Sequence, residues 1–200
     1  MASWSPRALS IVSWLYVIVI AGVGLYAATL AESDPMTLLV AVTALVLASM
    51  VGAAASNSGN RFTVGLAVAA AIPFVLGSTD DVDLAGCIAV YGLGLAIVWA
   101  LQYSRGEKHT DLLPTLVRRF AGYVVYATVY STLRVGPFAE LNGDWEDLLP
   151  FLVALVAWIA VEVFARAMLV VGKREVSRTY LARSLLHDLN VFLGLALTGG

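Results

Sequence analysis

Arg119, Tyr123, Tyr126, Tyr130 and Arg134 recur at intervals of four, three, four and four residues. On a helix of 3.6 residues per turn, that spacing puts three hydroxyls and two guanidiniums along a single stripe. Tyrosine rings offer flat surfaces for a planar ligand, and a guanidinium pairs with an acid group through a rigid fork of N–H donors. These five residues form the candidate ligand-binding site. The same pattern also suits packing alone, because arginines near opposite ends of an apolar run can snorkel and buried tyrosines can hydrogen-bond to neighbouring helices.

Glu162 and Arg166 are four residues apart inside another apolar run, within salt-bridge reach on one helix face. Charges at such a depth are costly unless paired or hydrated. The pair reads either as a latch whose pairing changes with ligand or helix position, or as a static ion pair that lets the helix insert. Other chemistry is sparse. His187 beside Asp188 has the form of the HD dipeptide of metal phosphohydrolases, but such a site needs further His and Asp ligands, and the chain has only 2 histidines. Cys87 is the single cysteine, which excludes an intramolecular disulfide and any CxxC metal or redox pair. HExxH, GxSxG and Walker sequences are absent. No catalytic residue, metal site or cofactor is therefore assigned.

The elements that must carry these residues follow from composition. With 60% hydrophobic and 13% charged residues, the chain lies outside the usual range of soluble domains. Crossing a hydrocarbon layer roughly 30 Å thick takes about 20 apolar residues at ~1.5 Å each. Apolar runs predict an all-α transmembrane bundle with spans near 9–30, 36–55, 62–77, 84–103, 115–135 and 148–171. None shows the alternation of a barrel strand, and only helices otherwise satisfy every backbone group in lipid. The long run after Arg7 exceeds a signal-peptide core of about 7 to 15 residues, so it reads as a retained first span.

Charge placement orients the bundle. Arg7, Arg61, Arg105, Lys108, Arg118, Arg119, Lys173, Arg174, Arg178 and Arg183 precede the first span or follow the second, fourth and sixth. Glu32, Asp34, Asp80, Asp81, Asp83, Glu140, Asp144, Glu146 and Asp147 occupy the alternate loops. The positive-inside rule then makes the N-terminus cytoplasmic and the acidic loops external, as expected of a multi-pass protein of a bacterial inner membrane. The net charge of -2 adds nothing, and no nucleic-acid footprint is visible. The expected partners are the lipid bilayer, a small-molecule ligand and a second copy of the chain in a homodimer.

Punctuation fits these boundaries. Asp111 before Pro114 and Asp144 before Pro150 each place a cap ahead of an early-turn proline, whereas Pro73 inside the third run predicts a kink. Trp14, Tyr16, Trp99, Tyr103 and Trp145 fall near span ends, where amphipathic rings anchor at headgroups. Gly22 with Gly24, and Gly92 with Gly94, permit close helix approach. Residues 174–190 mix bases with Val176, Tyr180, Leu181, Leu185 and Leu189 at helical spacing and read as a cytoplasmic interfacial helix. The apolar residues 191–200 read as the start of a truncated seventh span in a polypeptide that continues.

The run RFTVGLAVAAAIPFVLG from Arg61 resembles the third-helix segment of multi-helix membrane modules at the N-termini of bacterial GGDEF- or HD-type signalling proteins. Pro114 to Tyr130 looks like the helix after the module's basic loop, and Leu148 to Val171 with Lys173 to Asn190 like its penultimate part. The likeness covers about 140 residues, mainly in hydropathy rhythm. It implies a sensory or anchoring role, with any cyclic-dinucleotide or phosphohydrolase activity in a cytoplasmic output domain outside these residues. Substrate-binding subunits of energy-coupling-factor transporters are similar in helix number and length, and Ala67, Ala69, Ala70 and Ala71 echo their small-residue coupling faces. That resemblance implies uptake of a small molecule instead.

Overall fold

The computed structural model describes the backbone of residues 6–55, 63–77, 82–106, 109–135 and 145–171, and the side chains of 10–50, 65–77, 82–106, 115–135 and 148–165. Six helices follow in order: α1 (Pro6–Leu30), α2 (Pro35–Ala55), α3 (Thr63–Val75), α4 (Leu84–Ser104), α5 (His109–Val135) and α6 (Trp145–Val171). The described residues contain no strand, only a lone antiparallel bridge between Gly77 and Val82. Three helical stretches are long and apolar enough to cross a membrane: Ser10–Leu30, Leu84–Ser104 and Leu148–Ala165. Pro35–Met50 and Gly65–Val75 are shorter apolar helices, and α5 is the least apolar of the six. The fold is all-helical.

Local chemistry sets several helix ends. Asp34 begins α2: its carboxylate accepts the backbone N–H groups of Met36 at 2.9 Å and Thr37 at 3.1 Å and the Thr37 hydroxyl, ahead of a proline in the first turn. Asp83 begins α4 in the same way, accepting the Gly86 N–H at 2.7 Å. After Ser104 the chain leaves α4 through Gly106 at φ 88, a left-handed conformation that costs a residue with a Cβ. Pro73 lies only two residues before the end of α3, where the expected kink becomes a terminus. α5 starts at His109, upstream of the run expected to begin at 115, so Asp111 lies inside the helix rather than capping it from outside.

The chain divides into two compact units, Met1–Tyr123 and Val124–Gly200, with the division inside α5. In the first unit α1 runs along α4, and α2 packs against both α3 and α4. Buried positions on α1 are Ser13, Val17, Ile20, Gly24 and Ala27, and on α2 Leu38, Val42, Leu45 and Ser49. Each set is one narrow helical stripe. By contrast α4 is buried nearly all round, from Gly86 to Gln102, and is the central helix of the unit. Gly24 and Gly92 bring α1 and α4 together: a Cβ on Gly92 would come within 3.4 Å of the Gly24 Cα and 3.3 Å of the Ile20 carbonyl. Val17, Ile20, Ala96, Trp99 and Leu116 form a core beside this contact.

Outside those stripes the apolar residues face outward. Ile11, Leu15, Ile18, Val19, Leu25 and Leu30 of α1, and Leu39, Val40 and Leu47 of α2, are all exposed. Helices that are apolar all round but packed along one narrow face need a second apolar medium, which a bilayer supplies. Exposed hydroxyls are turned back onto their own helices: on α2 Thr43 donates to the Leu39 carbonyl, and on α5 Thr128 donates to the Val124 carbonyl, both at 2.8 Å. That is how a hydroxyl is satisfied where water is absent.

In the second unit Tyr126 of α5 packs on α6. Its ring lies 5.1 Å from that of Trp158 and 6.3 Å, edge-on, from Phe151. Ala154, Leu155, Trp158 and Glu162 supply the buried face of α6. The expected interfacial helix at 174–190 and further apolar run at 191–200 lie outside the described residues.

Candidate functional site

All five residues of the arginine–tyrosine stripe fall on α5, and Arg119, Tyr123, Tyr126 and Tyr130 are buried while Arg134 is half-buried. The stripe is the inward face of its helix. Arg119 and Tyr123 fall in the first unit, and Tyr126, Tyr130 and Arg134 in the second.

In the first unit Arg119 borders a cleft bounded by α2, α3, α4 and α5. Ser49 and Gly65 line one part of it, Tyr91 and Gly94 another, and the rest of the wall is aliphatic. Tyr91 stacks face to face on Tyr123, with ring centroids 3.9 Å apart and planes 12° from parallel. The stack fixes Tyr123 one helical turn from Arg119. The Ser49 hydroxyl donates to the Leu45 carbonyl at 2.8 Å, which leaves its oxygen lone pairs toward other donors. About 20 Å³ of the cleft accepts water-sized groups, room for one. Arg119 is 9% exposed. Its guanidinium belongs to a wall whose other side chains include Leu45, Leu66, Leu95 and Val98.

Glycine shapes the cleft. A Cβ on Gly94 would come within 2.6 Å of a Leu45 methyl, and one on Gly65 would collide with the Ser49 hydroxyl. Both positions need the missing side chain so that α4 and α3 can approach α2.

In the second unit the Arg134 guanidinium donates to the Tyr130 hydroxyl at 3.3 Å. Tyr130 in turn lies 6.4 Å, centroid to centroid, from Tyr126. Glu162 is buried one turn beyond Trp158. The Arg166 side chain, and with it any pairing with Glu162, lies outside the described residues. Here the tyrosines make an aromatic core with Trp158 and Phe151.

The aromatic residues near the span ends divide similarly. Trp14 is exposed, but Trp99 is buried: the two rings meet edge-to-face at 5.0 Å, and Tyr103 stacks on Trp99 at 5.3 Å. Trp99 is thus a packing residue between α1 and α4. Nothing in its spacing distinguished it from an anchor.

At the acidic end, Asp83 spans two segments. One carboxylate oxygen accepts the Gly86 N–H, and the other accepts the Ser33 N–H at 2.8 Å from the α1–α2 connection. Burial pushes the Asp83 carboxyl upward in pKa, but hydrogen bonds from Ser33 and Gly86 outweigh it and hold the group below its ordinary range. Asp34 is also held low, first by the Thr37 side chain and then by backbone N–H groups. Both acids count in the sequence as outward loop charges; their positions before Pro35 and three residues before Gly86 are the signals of their capping role.

Sequence spacing locates Arg119 and Tyr123 but not Tyr91, Ser49, Gly65 or Gly94, which reach the cleft from three other helices. No group of three or more His, Cys, Asp or Glu converges among the described residues. Comparison with protein families, curated proteins and solved structures returned no match.

Proposed function

We propose that this chain is the membrane-embedded sensory or anchoring module of a bacterial signal-transduction protein in the cytoplasmic membrane. In this reading all six helices cross or enter the bilayer, the N-terminus is cytoplasmic, and a further apolar segment starts a seventh span. The alternation of basic and acidic connections supports the orientation. Outward aliphatic faces on α1 and α2 support insertion. The observation that carries the sensory part is Arg119, whose guanidinium is buried at a cleft lined by four helices. Ionisable residues inside a membrane domain are costly and are functional-site candidates by default.

Sensing would follow from population shift. A ligand that favours one packing of α2, α3 and α5 around α4 moves the equilibrium toward it, and the segment from Lys173 to Asp188 passes the change to an output domain. The alternative is a substrate-binding subunit of an energy-coupling-factor type transporter. Of the small residues such a subunit would use for coupling, Ala69 and Ala70 are buried, Ala67 is half-buried and Ala71 is exposed.

Purification from native membranes separates the two. The sensory reading predicts no stoichiometric ATPase pair or scaffold subunit; their co-purification would replace it with the transporter reading.

A further inference from the structure

On the acidic side of the first unit, one buried carboxylate joins two segments 50 residues apart in the chain. One oxygen of Asp83 accepts the Gly86 N–H at 2.7 Å in the first turn of α4, and the other accepts the Ser33 N–H at 2.8 Å in the α1–α2 connection. The Ser33 hydroxyl and the Glu32 N–H also donate to this carboxylate. Its seat has no room to spare, because a Cβ on Gly86 would collide with it. Only the ionised group can accept at every one of these points; a proton on it turns one acceptor into a donor that faces donors.

The helices joined at this point have other supports. α1 and α2 each pack on α4. α2 has its own cap in Asp34, whose bonds to Met36 and Thr37 stay within one turn, and α4 keeps the bond from the Cys87 N–H to the Asp83 carbonyl. Loss of the Asp83 charge therefore frees the connection without undoing either helix. The charged groups nearby are acidic: Glu32 and Asp34 in the connection, with Asp80 and Asp81 just before Asp83 in the sequence. On α4 the Cys87 thiol lies one turn along and is hydrogen-bonded to the Tyr123 side chain of α5, and thiol and phenol both stay protonated in acid. Burial opposes ionisation of Asp83, but the donors from Ser33, Gly86 and Glu32 outweigh it and hold the carboxyl below its ordinary range.

We propose that Asp83 is an acid-released clasp, which holds the α1–α2 connection against the start of α4 at neutral pH and frees it when the adjoining medium becomes strongly acidic. The sign follows from linkage: the clasp is fully closed above the ordinary carboxyl value of ~4 and opens as pH falls through the lower folded value. The clasp itself is independent of the proposed function. That the medium it reads is the external one rests on the proposed orientation, and it makes strong external acid a stimulus for the sensory module.

The test places a nitroxide at the exposed Glu32→Cys position of the full chain in neutral detergent, with the buried Cys87 replaced by alanine. Label mobility should be low near neutrality and rise reversibly below about pH 4, while helix content by circular dichroism stays constant. Asp83→Asn, which keeps an oxygen for the Gly86 N–H, should be mobile at every pH. Ser33→Ala, which removes one donor and leaves the α4 cap in place, should move the midpoint to higher pH, and Asp34→Asn should leave it where it was. A transition that persists in Asp83→Asn, follows Asp34→Asn, or coincides with loss of helix would overturn the proposal. Should Asp83→Asn fail to fold, an unmoved midpoint in Ser33→Ala would overturn it. In intact cells, acidifying the medium alone should mobilise the label; mobilisation only when the interior is acidified would overturn the orientation and uphold the clasp.

Discussion

Tyr130 illustrates how a residue that looks functional in sequence acquires its role from its partners. Its hydroxyl accepts from Arg134, and its ring lies beside Tyr126, so removing the hydroxyl takes one hydrogen bond from the guanidinium. Tyr130→Phe should lower stability by about 1 kcal/mol, measured by thermal unfolding in detergent, while leaving the Arg119 cleft unaltered. A larger loss would mean that the hydroxyl holds more than this one bond. Glycines give a sharper contrast. A Cβ at Gly22 meets nothing within 4 Å, whereas one at Gly24 meets the Leu93 backbone nitrogen at 3.1 Å. Gly22→Ala should be neutral or stabilising by up to about 1 kcal/mol through helix propensity, and Gly24→Ala should destabilise. The sequence presents these two glycines as equivalent. Only the partner helix distinguishes them.

Helix ends carry the pH dependence. Asp83 caps α4 and holds the α1–α2 connection through Ser33, so its charged form is favoured in the folded chain. A carboxyl whose folded pKa is depressed contributes stability that is present above its unfolded value of ~4 and is lost as pH falls through the folded value. Asp83→Asn should therefore flatten the acid limb of a stability–pH profile, and Asp83→Ala should cost about 1–2 kcal/mol near neutrality as a lost cap. An unchanged acid limb in Asp83→Asn would assign the dependence to Asp34 instead. At this scale much was legible in sequence. Apolar runs locate six helices because each must bury or immerse about 20 residues, but ends are governed by single hydrogen bonds. Hence the start of α5 and the short α3 depart from the runs that announce them.

For the whole molecule, α1 and α2 turn aliphatic faces outward while α4 is buried among its neighbours. Hydropathy announces the membrane class, since composition alone exceeds what a soluble core can hide. It cannot announce the central helix, because the apolar faces of α1 and α4 read alike until packing leaves one exposed and buries the other. Nor can it assemble the cleft, whose lining comes from four helices far apart in the chain. The central claim is insertion with the acidic connections outside and the basic ones inside. Its most direct measurement is labelling of single cysteines in intact cells with a membrane-impermeant maleimide, after replacing the buried native Cys87 with alanine. Glu32→Cys and Arg105→Cys place thiols at two exposed positions beyond opposite ends of the first unit's helices. Glu32→Cys should label in intact cells and Arg105→Cys only after permeabilisation; labelling of both from the same side would contradict the account.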